Sequence, residues 1–107
     1  MAISLVASSY TLASQEDRCA PREKLDLPAV LRPSGATGFA TTIIDLSLGG
    51  FAAQAVTGMP AGTLCWLSVG HLKGLQAEVV WNDGQNVGCA FATLLNPAVF
   101  ESVLNLR

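Results

Sequence analysis

The sequence predicts an all-β fold, a six-stranded antiparallel barrel with one short C-terminal helix. Two observations carry this expectation. From residue 27 onward, six short stretches of strand-forming residues follow one another, separated by turn residues and without helices between them. Such spacing indicates an antiparallel barrel rather than a parallel sheet. The chain of 107 residues is also half hydrophobic and only 13% charged, so it fits one domain with a real core.

Alternating side chains and turn residues place the strands of this barrel, which is predicted over residues 27–93. In the second strand, Phe39, Thr41 and Ile43 alternate with residues of the opposite face. One face of the fifth strand is shared by Leu75, Ala77, Val79 and Trp81. The sequence Asn82-Asp83-Gly84 is the strongest hairpin signal and joins the fifth strand to the sixth. The predicted strands are residues 27–32, 39–45, 51–56, 63–69, 75–81 and 86–92.

Near the C-terminus the apolar residues no longer alternate but recur every three or four positions, and a helix is predicted over residues 96–106. Asn96 is a good N-cap, and Pro97 suits the first helical position because it lacks the N–H that would go unbonded there. Val99, Val103 and Leu106 then fall on one helical face.

Composition excludes several classes of protein. A net charge of −2 and a pI near 5.1 argue against DNA or RNA binding, which needs an excess of Lys and Arg. No apolar run approaches the length of a membrane-spanning helix, so we expect no membrane insertion. Residues 1–15 contain no Lys or Arg, lack the charged leader of a secretory signal, and are interpreted as a flexible tail. Three cysteines without a close pair favour a reducing cytoplasm over a disulfide framework.

Charge is concentrated just ahead of the predicted barrel. Seven of the fourteen charged residues lie within residues 16–26, whereas residues 33–107 carry only six. A charged segment before a nearly uncharged domain is typical of a solvated linker. In that interpretation, Arg18 and Arg22 simply pair with neighbouring acidic residues.

The sequence contains none of the common enzyme motifs, and we expect neither catalysis nor a cofactor. His71, the only histidine, lies between strands and is expected at the surface, and the chain offers too few ligands for a metal site. Cys65 and Cys89 lie in predicted strands and are expected to be small core residues. Cys19 is the one candidate nucleophile, because nearby arginines favour a thiolate.

Two short motifs remain. The first is R-x-x-x-R, formed by Arg18 and Arg22, and the second is D-x-S-x-x-G, formed by Asp45, Ser47 and Gly50, with 22 residues between them. In this order and at this spacing they resemble the signature of the PilZ domain, the bacterial receptor module for cyclic di-GMP. The resemblance spans about residues 16–106 and extends to the first strand and the last hairpin.

The resemblance implies a PilZ-type barrel of six antiparallel strands and a C-terminal helix, with a cyclic di-GMP site. It implies that the ligand is bound by Arg18, Arg22, Asp45, Ser47 and Gly50. Trp81 is a further candidate for stacking on a base, although its face of the fifth strand favours the core.

These residue types suit that ligand chemically. Arginine grips phosphate bidentately, pairs with the Hoogsteen edge of guanine and stacks on purines. The carboxylate of Asp45 accepts from the guanine amide and amino groups, and Ser47 lies one pleat along on the same strand face. Gly50 lets the backbone turn and approach the ligand without a Cβ. The alternative for Asp45 and Ser47 is a local role in capping a strand-end turn.

The resemblance thus implies a non-enzymatic second-messenger receptor of the cytoplasm, with a role in motility and biofilm regulation. Residues 16–26 are predicted to form a switch loop that orders over cyclic di-GMP and changes the surface offered to a downstream protein partner. The runner-up is an adaptor of the same fold that docks to motility or pilus machinery without nucleotide. Such family members typically lack the arginine pair. A more distant alternative is an enzyme that uses Cys19.

Overall fold

The computed structural model describes residues 22–54 and 59–107. Their strands are β1 (Glu23–Pro33), β2 (Phe39–Leu46), β3 (Gly50–Gln54), β4 (Leu64–Val69), β5 (Leu72–Asn82) and β6 (Asn86–Phe91). One helix, α1 (Pro97–Leu104), follows them. The strands form a closed antiparallel barrel in the order β1–β2–β3–β6–β5–β4, with β4 pairing back onto β1. The predicted fold class is therefore confirmed.

The main difference from the predicted strands lies at the start of β1. This strand begins at Glu23 rather than residue 27, so residues 23–26 belong to the barrel and not to the predicted switch loop. The charges of Lys24 and Asp26 suggested a linker, but both side chains are exposed on the strand, while Leu25 packs against the core. Charged residues on the outer face of a strand are compatible with a solvated sheet surface.

The other boundaries shift less. β3 begins at Gly50 and ends at Gln54 rather than spanning 51–56, and β5 begins at Leu72 rather than residue 75. The β4–β5 hairpin turns at residues 70–71, where the positive φ of 57° at Gly70 allows so tight a connection. The helix ends at Leu104 rather than residue 106, and the predicted N-cap is confirmed, since the Asn96 side chain accepts from the Ala98 N–H at 2.8 Å.

The core fills the interior of the barrel and continues beneath α1. Among its largest members are Phe51 and Phe91, whose ring centroids lie 5.4 Å apart. Val103 and Leu104 of the helix are buried against the same cluster. With its interior filled by side chains, the barrel offers a ligand its outer surface and its loops.

Register shifts interrupt four of the six strand pairs, and two of them change the face of candidate site residues. In β2, Ile43 pairs with Ala53 but Asp45 pairs with Ala52, so Ile44 is an extra residue. In β5, Val79 pairs with Cys89 but Trp81 pairs with Gly88, so Val80 is the extra residue there. A bulge shifts the alternation of side chains by one position. Both Asp45 and Trp81 are thereby turned outward.

Candidate functional site

Asp45 lies near the end of β2, on the outside of the barrel. Strict alternation from the buried Ile43 would point Asp45 into the core, where an unpaired carboxylate is costly. The bulge at Ile44 prevents this, so that Leu46 becomes the next buried residue while the Asp45 side chain stays 17% exposed. The irregular step in the β-ladder is thus what makes this carboxylate available to a ligand.

Arg22 immediately precedes β1 and contacts this carboxylate. Its Nη2 donates to Oδ1 of Asp45 at 2.7 Å, and the Arg22 side chain is 40% exposed. The last residue of the R-x-x-x-R motif and the first of D-x-S-x-x-G therefore touch across the β1–β2 pair. Exposed ion pairs of this kind contribute little to stability, roughly 0–1 kcal/mol, because water and salt compete for both groups. An anionic ligand competes for Arg22 in the same way.

The first residue of the arginine motif, Arg18, lies outside the described residues, as do Cys19 and the tail over residues 1–15. Residues 16–21 of the predicted switch loop lie outside them as well. The structure therefore brings Arg22 to Asp45 and leaves the position of Arg18 as a prediction.

Ser47 does not share an exposed strand face with Asp45, as the sequence had suggested. β2 ends at Leu46, and Ser47 begins the turn that leads into β3, with its side chain fully buried. Its backbone N–H donates to the Gly50 carbonyl at 2.9 Å, and its Oγ donates to the same oxygen at 3.3 Å. In this conformation Ser47 closes the turn, which was the alternative interpretation of the motif.

Gly50 is required by the packing of two strands rather than by a left-handed backbone. It is the first residue of β3, opposite Ala90 of β6, and its φ is not among the positive values of the described glycines. A Cβ built on Gly50 would lie 2.1 Å from the carbonyl oxygen of Cys89. The close approach of β3 and β6 thus gives a packing reason for a glycine here, and the approach of the backbone to a ligand stays a prediction.

Trp81 lies on the outer surface, and the expectation that it belongs to the core is wrong. Its side chain is 45% exposed because the bulge at Val80 reverses the face it occupies. The indole covers Gly88, where an added Cβ would lie 2.1 Å from the ring nitrogen. A large aromatic ring over a cross-strand glycine shields the backbone that the glycine exposes.

Asp45 and Trp81 are members of one row across the outer face. The paired residues run from Asp45 of β2 to Ala52 of β3, then to Gly88 of β6 and Trp81 of β5. Three steps at the usual strand spacing put Asp45 and Trp81 about 14 Å apart along the surface. Ala52 and Gly88, the two residues between them, are small and buried, and the Trp81 indole lies over Gly88, so the ring covers part of the row.

Sequence reasoning missed Lys24, which it placed in a loop. In the structure Lys24 is exposed on β1 and is the cross-strand partner of Asp45. Its backbone carbonyl accepts from Nη1 of Arg107 at 3.2 Å, and the same nitrogen lies 3.5 Å from Oε1 of Glu23. The signal was the alternation of charged residues with Leu25 and Leu27, which is typical of a strand.

Other chemistry is sparse in the part of the chain that the structure describes. Within residues 22–54 and 59–107, no group of three or more His, Cys, Asp or Glu side chains is arranged to hold a metal ion, and no helix is long and apolar enough to cross a membrane. Cys65 and Cys89 are buried free thiols, as predicted. The hydrogen bond with Cys65 and burial raise the pKa of the Cys89 thiol, so it stays protonated and unreactive.

Comparison with known proteins agrees with this architecture. The family model of the PilZ domain matches residues 16–105, which includes both motifs, every strand and α1. A search of the curated proteins finds no match. Since the matched region covers most of the 107 residues and the barrel order is a closed antiparallel one, the chain belongs to the PilZ domain family.

Proposed function

We propose that this PilZ domain is a non-enzymatic receptor for cyclic di-GMP, with its site on the outer surface where β1 and β2 meet. The observation that carries the proposal is the 2.7 Å contact between Nη2 of Arg22 and Oδ1 of Asp45. It joins two motifs that are distant in the sequence into one exposed cluster with a guanidinium and a carboxylate. PilZ domains are generally binding or adaptor domains, which agrees with a role that needs no catalytic group.

The chemistry of this cluster fits a guanine nucleotide with phosphate groups. Arg22 is the donor for a phosphate or for the Hoogsteen edge of guanine. Asp45 is the acceptor for the amide and amino hydrogens of guanine, a pair of donors that adenine does not present in that arrangement. Binding replaces the contact between Arg22 and Asp45 by one contact of each residue with the ligand. Breaking this ion pair costs little free energy, because water and salt already compete for both groups.

Ser47 and Gly50 have a supporting role in this proposal. Ser47 is fully buried and bonded to the Gly50 carbonyl, so the two residues hold the turn that follows Asp45. A rigid turn keeps the carboxylate in one orientation before the ligand arrives, which lowers the entropy lost on binding. Trp81, at the far end of the row, is a platform on which a purine ring of the ligand stacks.

The signal is proposed to pass through residues 16–22, which precede β1 and contain both arginines. When Arg18 and Arg22 bind the phosphates, this segment closes over the ligand and forms a new surface for a downstream protein partner of the cytoplasm. The predicted switch is thereby shortened, because residues 23–26 are already part of β1. Ligand should slow amide hydrogen exchange in residues 16–22 far more than in β5. Equal exchange with and without ligand would place the signal elsewhere.

The second candidate is an adaptor of the same fold that binds a protein partner without nucleotide. The observation that favours it is the exposure of two large apolar side chains on neighbouring strands, Val30 on β1 and Leu64 on β4. Apolar side chains at the surface can contribute to a protein interface. The two candidates differ in whether cyclic di-GMP binds at all.

Titration calorimetry with cyclic di-GMP and with cyclic di-AMP tests the proposal. Wild-type protein should bind the guanine nucleotide much more tightly, because adenine leaves the Asp45 carboxylate unpaired. Asp45→Asn should weaken binding and narrow the difference between the two nucleotides. Glu101→Gln is the matched control, since it makes the same change of charge on the exposed face of α1 and should leave binding unchanged. Absence of binding to the wild type favours the adaptor.

A further inference from the structure

The register of β1 and β2 places a second cation beside the Arg22–Asp45 pair. Lys24 and Asp45 are direct cross-strand partners, and such partners have their side chains on the same face with Cβ atoms about 5 Å apart. Lys24 is exposed, so its ammonium group reaches the same solvent region as the carboxylate. Arg22 lies two residues earlier, and successive residues of an extended chain alternate in direction. Arg22 and Lys24 therefore extend to the same side.

The backbone of Lys24 is also held in place from the far end of the chain. Nη1 of Arg107 donates to the Lys24 carbonyl at 3.2 Å and lies 3.5 Å from the Glu23 carboxylate. Of the five Lys and Arg residues within the described parts of the chain, three thus gather at the start of β1: Arg22, Lys24 and Arg107. Arg22 and Arg107 have carboxylate partners here, Asp45 and Glu23. Lys24 makes no ion pair within residues 22–54 and 59–107, so its ammonium group can bind an anion without breaking one of these pairs.

We infer that Lys24 is an additional phosphate-binding residue of the proposed cyclic di-GMP site, outside both sequence motifs. The inference rests on the proposed function and assigns one more contact within it. In the proposed site a guanine is held at Asp45, and the Cβ atom of its cross-strand partner Lys24 is about 5 Å from that of Asp45, so the ammonium group is within reach of a phosphate of the same ligand. Lysine binds phosphate as a point charge and has no fork of donors with which to read a base edge. Lys24 therefore contributes to affinity and leaves base selectivity to Asp45.

The test compares Lys24→Gln with Lys73→Gln in calorimetric titrations with cyclic di-GMP and cyclic di-AMP. Both lysines are exposed strand residues, and Lys73 lies near the β4–β5 hairpin, so the two variants lose the same charge at different places. Lys24→Gln should weaken binding of cyclic di-GMP about fivefold, the scale of one exposed charge pair. Its affinity should also depend less steeply on salt than that of the wild type. Lys73→Gln should bind like the wild type.

Further results separate this inference from the proposed function. Lys24→Arg should keep most of the affinity, and the ratio of affinities for the two nucleotides should be the same in Lys24→Gln and wild type. A wild type that binds cyclic di-GMP while Lys24→Gln binds equally well overturns the role of Lys24 alone. An equal loss in Lys24→Gln and Lys73→Gln overturns it too, since it reveals a general effect of net charge. A wild type that does not bind overturns the proposed function, and the role of Lys24 with it.

Discussion

Two arginines near the opposite ends of β1 are held in different ways. Arg22 precedes the strand, and its Nη2 lies 2.7 Å from the Asp45 carboxylate. Near the other end of the strand, the guanidinium carbon of Arg32 lies 4.5 Å from the centroid of the Trp66 ring on β4. A phosphate can replace the carboxylate as the anionic partner of Arg22, but it cannot replace the aromatic ring against which Arg32 packs. The same residue type is thus suited to ligand exchange at one end of the strand and to packing at the other.

Gly50 and Gly38, one near each of these arginines, differ in how closely their surroundings are packed. A Cβ on Gly50, in the Asp45 corner, would lie 2.1 Å from a backbone carbonyl of β6. A Cβ on Gly38, near Arg32, would meet the Cγ1 atom of the Val30 side chain at 3.0 Å. A side chain can rotate away, whereas two paired strands cannot separate without breaking their hydrogen bonds. The packing around Gly50 is therefore less able to adjust to an added side chain than the packing around Gly38.

The largest expected effect is therefore on stability. Gly50→Ala should lower the free energy of unfolding by about 2–3 kcal/mol, because the added methyl group forces β3 and β6 apart. Gly38→Ala should cost less than about 1 kcal/mol, since only the Val30 side chain must move. Urea titrations followed by circular dichroism measure both. Equal decreases in the free energy of unfolding would show that the packing around the two glycines adjusts equally well to a methyl group.

The next effect is on binding. Arg22→Ala should weaken cyclic di-GMP binding by about 1–3 kcal/mol, the usual value of a bidentate arginine contact, and we expect the same of Arg18→Ala. Arg32→Ala should leave affinity nearly unchanged and instead lower stability by about 0.5–1 kcal/mol, the scale of an exposed cation–π contact. Calorimetry and urea titration of each variant separate the two effects. Normal binding by Arg22→Ala would remove that residue from the site.

A smaller effect is expected from Ser47→Ala. The variant removes a buried hydroxyl and its hydrogen bond to the Gly50 carbonyl, which should lower the free energy of unfolding by about 1 kcal/mol. The carbonyl keeps the Ser47 backbone N–H as a donor at 2.9 Å, so the turn itself should persist. Binding should weaken only slightly. A large loss of affinity with little loss of stability would mean that Ser47 leaves the turn to contact the ligand.

The smallest expected effect is on the pH dependence of stability, and it arises at the β5–β6 hairpin, which contains neither Arg22 nor Arg32. The N–H groups of Asn86 and Gln85 lower the pKa of the Asp83 carboxylate, which is fully exposed at the β5–β6 turn. A lowered pKa stabilises the fold above the ordinary aspartate pKa, and this contribution is lost as the pH falls through the lowered value. The thermal midpoint of the wild type should fall slightly more on acidification than that of Asp83→Ala. Identical pH profiles would contradict this role.

The alternation of residues and the turn signals were enough to predict the six strands, because both are local properties of the chain. The bulges at Ile44 and Val80 were not predictable, since an extra residue in a ladder is defined only by the pairing of two strands. Each bulge reverses the face of one important residue. The face of Asp45 had to be learned from the structure, and Trp81 was wrongly expected in the core.

For the motif residues too, the sequence predicted some features and not others. The spacing of Arg22 and Asp45 indicated a shared site through a resemblance, and the structure shows the contact between them directly. Burial of Ser47 depends on the turn between β2 and β3, and nothing in its neighbouring residues distinguishes a buried serine from an exposed one. Lys24 was missed because its charged neighbours suggest a linker, whereas the register that sets it opposite Asp45 exists only in the folded sheet.

The placement of the two tryptophans has a practical consequence for spectroscopy. Trp66 is half-buried beneath Arg32, whereas Trp81 is 45% exposed on the row that leads from Asp45. Their emission therefore comes from two different solvent environments on the barrel. With Trp66→Phe, fluorescence arises from Trp81 alone, and a purine stacked on that indole would quench it. The protein thus carries an intrinsic optical probe at one end of the row, which needs no attached dye.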